Sequence, residues 1–281
     1  MVVRPRFLLL VLLLAVAIPL LPTFSYAADS LLRSMHEAGE AKAAITSAPP
    51  FAFVSPSGEP QGYLVEVTIL ALKGMDVPRL SAVLMSWGAD IAGLQARHFD
   101  LVPGGLLITA ARCNAVSFSA PITAQQDALY VPPGNPKRLT GYIQFAQSFD
   151  LKLAVVTGSA QEGYAATQGV KSDQLVRVPD IQAGIATVLG GRTNAFAVGQ
   201  FSVPNPQQKG VEIVVDTTSP VSGIGIAFKE DAGFRDTFNA QLEVLRRSGA
   251  LKELYAEKYG FPNWDTLATL TKASDVLPGC E

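Results

Sequence analysis

Histidine and cysteine are almost missing: two of each occur in 281 residues, with no Cys-x-x-Cys and no His-x-x-x-His pair. So few imidazoles and thiols cannot build a transition-metal centre, and no metal or other cofactor is expected. Charge is scarce as well. Charged residues make up 16%, and 22 basic residues nearly balance 24 acidic ones, for a net charge of -2. Without a basic excess there is no electrostatic footprint for nucleic acid and no long-range field for anionic surfaces. The Gly-x-Ser-x-Gly elbow, the P-loop and Gly-x-Gly-x-x-Gly are absent, which removes the usual signs of serine hydrolysis and of nucleotide binding. What is abundant is apolar: 48% hydrophobic residues exclude a disordered chain. The length suits one large domain or two lobes of ordinary size.

The first 27 residues read as a secretory signal peptide. Arg4 and Arg6 precede an apolar run from Phe7 to Leu21, and Ser25-Tyr26-Ala27 supplies small residues for cleavage before Ala28. The run is short for a membrane span, and no later stretch is long enough to be one. The product is expected to be exported and periplasmic. Cys113 and Cys280 would then meet an oxidising compartment, where two cysteines commonly pair. A Cys113–Cys280 disulfide is therefore expected.

Beyond residue 40, short apolar runs of strand length alternate with segments of helical spacing. Tyr63 to Lys73 places Leu64, Val67, Leu70 and Ala71 on one helical face before Gly74. Later the strand from Lys152 to Val156 ends in Thr157-Gly158-Ser159 and a helix follows. Such alternation predicts an α/β chain. Val131-Pro132-Pro133-Gly134-Asn135-Pro136 interrupts it midway, and a second crossing is expected near Gly223-Ile224-Gly225. The expected division is lobe 1 from 28–132 and 227–281, and lobe 2 from 133–226. Each lobe would be a mainly parallel sheet flanked by helices, with the ligand in the cleft between them.

No catalytic set stands out, because His36 and His98 lie beside no nucleophile motif. Binding signals are clearer. Arg112 in Thr109-Ala110-Ala111-Arg112 and Ser159 after Gly158 both sit near helix starts, where free N–H groups and a guanidinium suit a carboxylate. An ordinary surface ion pair for Arg112 and a plain helix cap for Ser159 are the simpler alternatives. Phe51 and Trp87 are either core residues or aromatic walls for a cation.

Pro49-Pro50-Phe51 with Gly62-Tyr63-Leu64-Val65-Glu66, Trp87 before Gly93-Leu94-Gln95, and Ile108-Thr109-Ala110-Ala111-Arg112 with Phe118-Ser119-Ala120-Pro121 resemble the polar amino-acid family of ABC-transporter solute-binding proteins. The resemblance extends over the mature chain. It implies a two-lobed Venus-flytrap fold of the type II periplasmic binding proteins, a small zwitterionic ligand, an ABC permease of the inner membrane as partner, and a monomer. By position, Arg112 would hold the ligand carboxylate, Gly158 and Ser159 would close on it, and Phe51 and Trp87 would wall the pocket. Gly199 stands where amino-acid binders of the family carry an Asp for the ligand's α-ammonium. Arg112-Cys113-Asn114-Ala115-Val116 and Val178-Pro179-Asp180 resemble the ectoine and hydroxyectoine branch. From that branch the chain departs at Leu107, in place of a third aromatic, and at Ala48, in place of a carboxylate. The alternative on the same scaffold is a periplasmic dehydratase of a prephenate-like acid, for which Glu162 and Asp127 are the candidate acid or base residues.

Overall fold

The structure, a computed structural model, describes residues 30–280. The expected signal peptide and its cleavage site lie outside the described residues. After α1 (Leu31–Ala38), the chain lays down β1 (Ala41–Ile45), the small hairpin β2 (Phe53–Val54) and β3 (Pro60–Gln61), α2 (Tyr63–Lys73), β4 (Leu80–Leu84), α3 (Asp90–Gln95), β5 (Leu101–Val102), α4 (Ala110–Cys113) and β6 (Ser117–Phe118). The strand β7 (Thr123–Gln125) leads out of this lobe. The second lobe holds β8 (Asp127–Val131), α5 (Ile143–Gln147), β9 (Leu153–Val156), α6 (Ala160–Thr167), β10 (Leu175–Val178), α7 (Ile181–Leu189), β11 (Ala195–Gly199) and β12 (Glu212–Val215). Then β13 (Ser222–Ile224) returns to the first lobe for β14 (Ala227–Phe228), α8 (Ala232–Arg247), α9 (Ala250–Lys252) and α10 (Trp264–Thr269).

Two five-stranded sheets result, ordered β4-β1-β5-β14-β6 and β10-β9-β11-β8-β12. In each, four strands run the same way and one runs against its two neighbours, β14 in the first sheet and β8 in the second. The expectation of mainly parallel sheets holds, with one reversed strand in each. The reason lies in the connections. The parallel strands follow helical crossovers, whereas β8 enters the second sheet straight from the joint and runs against β11.

The boundary expected after residue 132 is displaced. Asp127–Val131 is hydrogen-bonded between β11 and β12, so the Pro-rich break at 132–136 is a loop inside the second lobe. The crossing strands are β7 and β13, which pair with each other in antiparallel register, Gln125 opposite Ser222.

Side-chain alternation explains the second sheet. Leu129, Val131, Leu153, Val155, Ala195 and Ala197 face one buried cluster. Ala128, Tyr130, Ala154, Val156 and Phe196 face the other. Both faces are apolar because helices cover both. The short α9 is continued by a π-helical turn, Glu253–Lys258. Cys113 and Cys280 are disulfide-bonded, with Cα atoms 5.4 Å apart. Among the described residues no helix is long and apolar enough to cross a membrane.

Candidate ligand-binding site

A cleft between the lobes encloses about 610 Å³ of empty space, counted to its open mouth. The first lobe contributes Thr46, Ala48, Phe51, Trp87, Leu107 and Arg112; the second contributes Val156, Ser159, Gln161, Asp180, Ile181 and Gly199; Gln125 and Ile224 come from the joint. The wall is largely apolar, and Arg112 is the one basic residue in it.

Arg112 projects from the single turn α4. It is only 8% exposed. Its Nη1 donates to Leu107 O at 2.9 Å and its Nη2 to Gly158 O at 3.3 Å, so carbonyls from both lobes hold the guanidinium. Two of its five N–H groups are used this way. Burial lowers its pKa to about 10, with Asp90 opposing that shift, and the group stays protonated at neutral pH. A buried cation of this kind needs an anion close by.

The sequence-predicted residues converge. Phe51, Trp87, Leu107, Arg112, Ser159 and Gly199 all line the cleft. Gly158 does not; its part is the carbonyl that receives Arg112, at a backbone φ of +75°. Ser159 caps α6 and accepts the Glu162 N–H at 3.2 Å, so the plain cap role is present alongside its place in the wall. Phe51 is stacked on Phe261 at 5.6 Å. Trp87 packs against buried side chains of both lobes, and its Nε1–H, though buried, has no partner. Leu107 and Ala48 leave the first-lobe wall without a further ring or carboxylate at those places.

Neither carboxylate suggested for an enzyme reaches the cleft lining. Glu162 accepts from Gly158 N at 2.8 Å and from Arg177 Nε at 2.6 Å, outside the cleft. Asp127 is buried behind Gln161, which donates to it at 2.6 Å, while Tyr142 Oη donates at 3.0 Å. Burial raises the Asp127 pKa, and the two hydrogen bonds hold it back.

Several site residues carry no sequence motif. Gln125 closes β7, with its Oε1 buried and unpartnered. Thr46 Oγ1 is buried beside the Asp90 carboxyl. Asp90 is 2% exposed with an unpartnered Oδ1, and burial raises its pKa to about 6 against the pull of Arg112 and Thr46. Asp180 caps α7 by accepting from Ala183 N at 2.7 Å. One signal was there to read: Asp90 and Leu94 lie four residues apart, so they share a helical face, and that face is buried.

Three comparisons bear on this site. The family described as bacterial extracellular solute-binding proteins, family 3, matches residues 42–261. A probable amino-acid ABC transporter periplasmic-binding protein of Sinorhizobium fredii is 27% identical over 252 residues, covering 85% of this chain and 83% of that protein. The crystal structure of EhuB in complex with hydroxyectoine superposes with a TM-score of 0.81 at 30% identity, covering 87% of this chain and 96% of that one. An ancestral amino acid-binding protein, a precursor of cyclohexadienyl dehydratase, has a TM-score of 0.72 at 23% identity over 82% and 99%, a likeness of fold.

Proposed function

Because the chain belongs to the bacterial extracellular solute-binding proteins, family 3, and because its cleft is lined by a buried guanidinium and by the rings of Phe51 and Trp87, we propose that it captures a small zwitterionic carboxylate for an ABC importer. The ligand class is ectoine and hydroxyectoine or a polar amino acid. The protein works outside the cytoplasmic membrane, as a monomer, and delivers its ligand to the importer's permease. The observation that carries this reading is Arg112, held between Leu107 O and Gly158 O and facing a cleft with no other cation.

The ligand carboxylate would take the remaining guanidinium N–H groups, with the geometry of a fork on two oxygens. Trp87 and Phe51 give the cationic part apolar and π surface. Hydroxyectoine in the EhuB complex favours a ligand whose positive charge is spread over a ring. The relatives named for amino acids keep those ligands in the panel.

The test is a thermal-shift screen of ectoine, hydroxyectoine, betaines and the common amino acids, followed by calorimetry. A ligand at about 100 times its Kd should stabilise the protein by about 2.7 kcal/mol. A panel in which no zwitterion shifts the transition would overturn the proposal. Consumption of prephenate or arogenate by the purified protein would favour the dehydratase instead.

A further inference from the structure

We infer that the side-chain amide of Gln125 receives the nitrogen end of the ligand, and that Gly199 is glycine to make room for it. Gln125 lines the cleft, is 4% exposed, and makes no hydrogen bond through its amide; the Oε1 is buried without a partner. Buried polar atoms of folded proteins are almost always paired, so an unpaired one in a cavity wall marks where a partner belongs. The second observation is steric. A Cβ built on Gly199 would stand 2.6–2.8 Å from Nε2, Oε1 and Cδ of Gln125. Any side chain at 199 therefore has to push this amide aside, and glycine leaves it where it is.

The consequence concerns ligand chemistry, and it rests on the transport reading above. The acidic residue in the cleft lining, Asp180, accepts the Ala183 N–H at Oδ1 as the cap of α7, which sets its charge against that helix start. The nitrogen end of the ligand then meets the neutral amide acceptor of Gln125. A compact primary ammonium is strongly hydrated and needs an anion to leave water. A cation delocalised over an amidinium-like N–C–N unit spreads its charge, is less costly to desolvate, and still offers an N–H to the amide. The geometry selects the second class over α-amino acids.

Calorimetry of the parent, Q125M, Q125E and G199A with ectoine, hydroxyectoine, L-glutamine and L-arginine tests this, with circular dichroism as the folding control. The Q125M change should weaken the preferred ligand about tenfold. The Q125E change should shift the ratio of amino-acid to ectoine affinity about tenfold or more toward the amino acids. G199A, which displaces the amide without removing it, should weaken binding in the same direction as Q125M and stands in if a Gln125 variant fails to fold. Parent-like affinities in the folded variants, while Arg112→Ala loses binding, would overturn the amide's role and leave the transport reading intact. A parent that binds no member of the panel overturns that reading and this inference with it.

Discussion

Arg112, in the cleft wall, and the buried Asp90 act on each other electrostatically. Removing the guanidinium would leave a bound carboxylate desolvated without its main partner, so Arg112→Ala should cost about 2–5 kcal/mol of binding, measured by calorimetry on folded variant. Arg112→Lys should recover only part, because an ammonium keeps the charge and loses the planar fork. Asp90 gives a pH signature. Its native pKa is about 6 against an ordinary 3.8, so the folded state binds a proton that the unfolded state releases between those values. The stabilising contribution is full below about pH 4, declines as pH rises to about 6, and is absent above it. Asp90→Asn should therefore be more stable than the parent at pH 7.5, by up to roughly 3 kcal/mol, and level with it near pH 4. Urea unfolding at both pH values decides; a pH-independent difference would show that charge at Asp90 is not the cause. The sequence made Phe51, Trp87 and Arg112 legible because each sits in a recognisable local frame. Gln125, Thr46 and Asp90 were not legible: their meaning depends on which elements pack around them, and nothing nearby in the chain announces it.

At the level of elements, α4 is the weak point that the fold reinforces. A single turn has no cooperative stability of its own, yet Ala110–Cys113 must hold Arg112 steady. The residue next to Arg112 is tied to Cys280, across a sequence separation of 167 residues. Reduction of this bridge should lower stability by about 2–5 kcal/mol and weaken ligand binding together with it. Thermal melts with and without reductant read the first effect and calorimetry the second. Titration of unfolded, non-reduced protein should find no free thiol. Much of the alternation of strands and helices was readable, since α2, β9 and α6 occupy the segments indicated for them. The first crossing was not. Pro132-Pro133-Gly134 is the conspicuous break, but it marks the turn after β8, whereas the real joint, β7 into β8, is nearly continuous extended chain with only Gln126 between the strands. No Pro or Gly is required there, because the chain changes lobe without turning back.

On the scale of the whole molecule, identifiable contacts bridge the two lobes. One is the Arg112–Gly158 hydrogen bond. Another is the stacking of Phe201, from the segment after β11, on Phe261 of the first lobe, with ring centroids 5.2 Å apart. Behind them the chain crosses between the sheets twice, through the paired strands β7 and β13. Such a joint permits hinge closure, with ligand favouring the closed form. Small-angle scattering should show a smaller radius of gyration with saturating ligand; an unchanged radius would place the hinge elsewhere. Phe201 lies outside the cleft lining, so it separates closure from ligand contact. Losing one stacked pair removes about 0.5–1.5 kcal/mol from the closed state. Apparent affinity falls with the population of the binding-competent form, so Phe201→Ala should weaken every ligand by about two- to tenfold while leaving their rank order unchanged. A change in rank order would mean that Phe201 acts on the ligand pocket itself; an unchanged affinity together with an unchanged radius of gyration would mean that this stack does not hold the lobes closed.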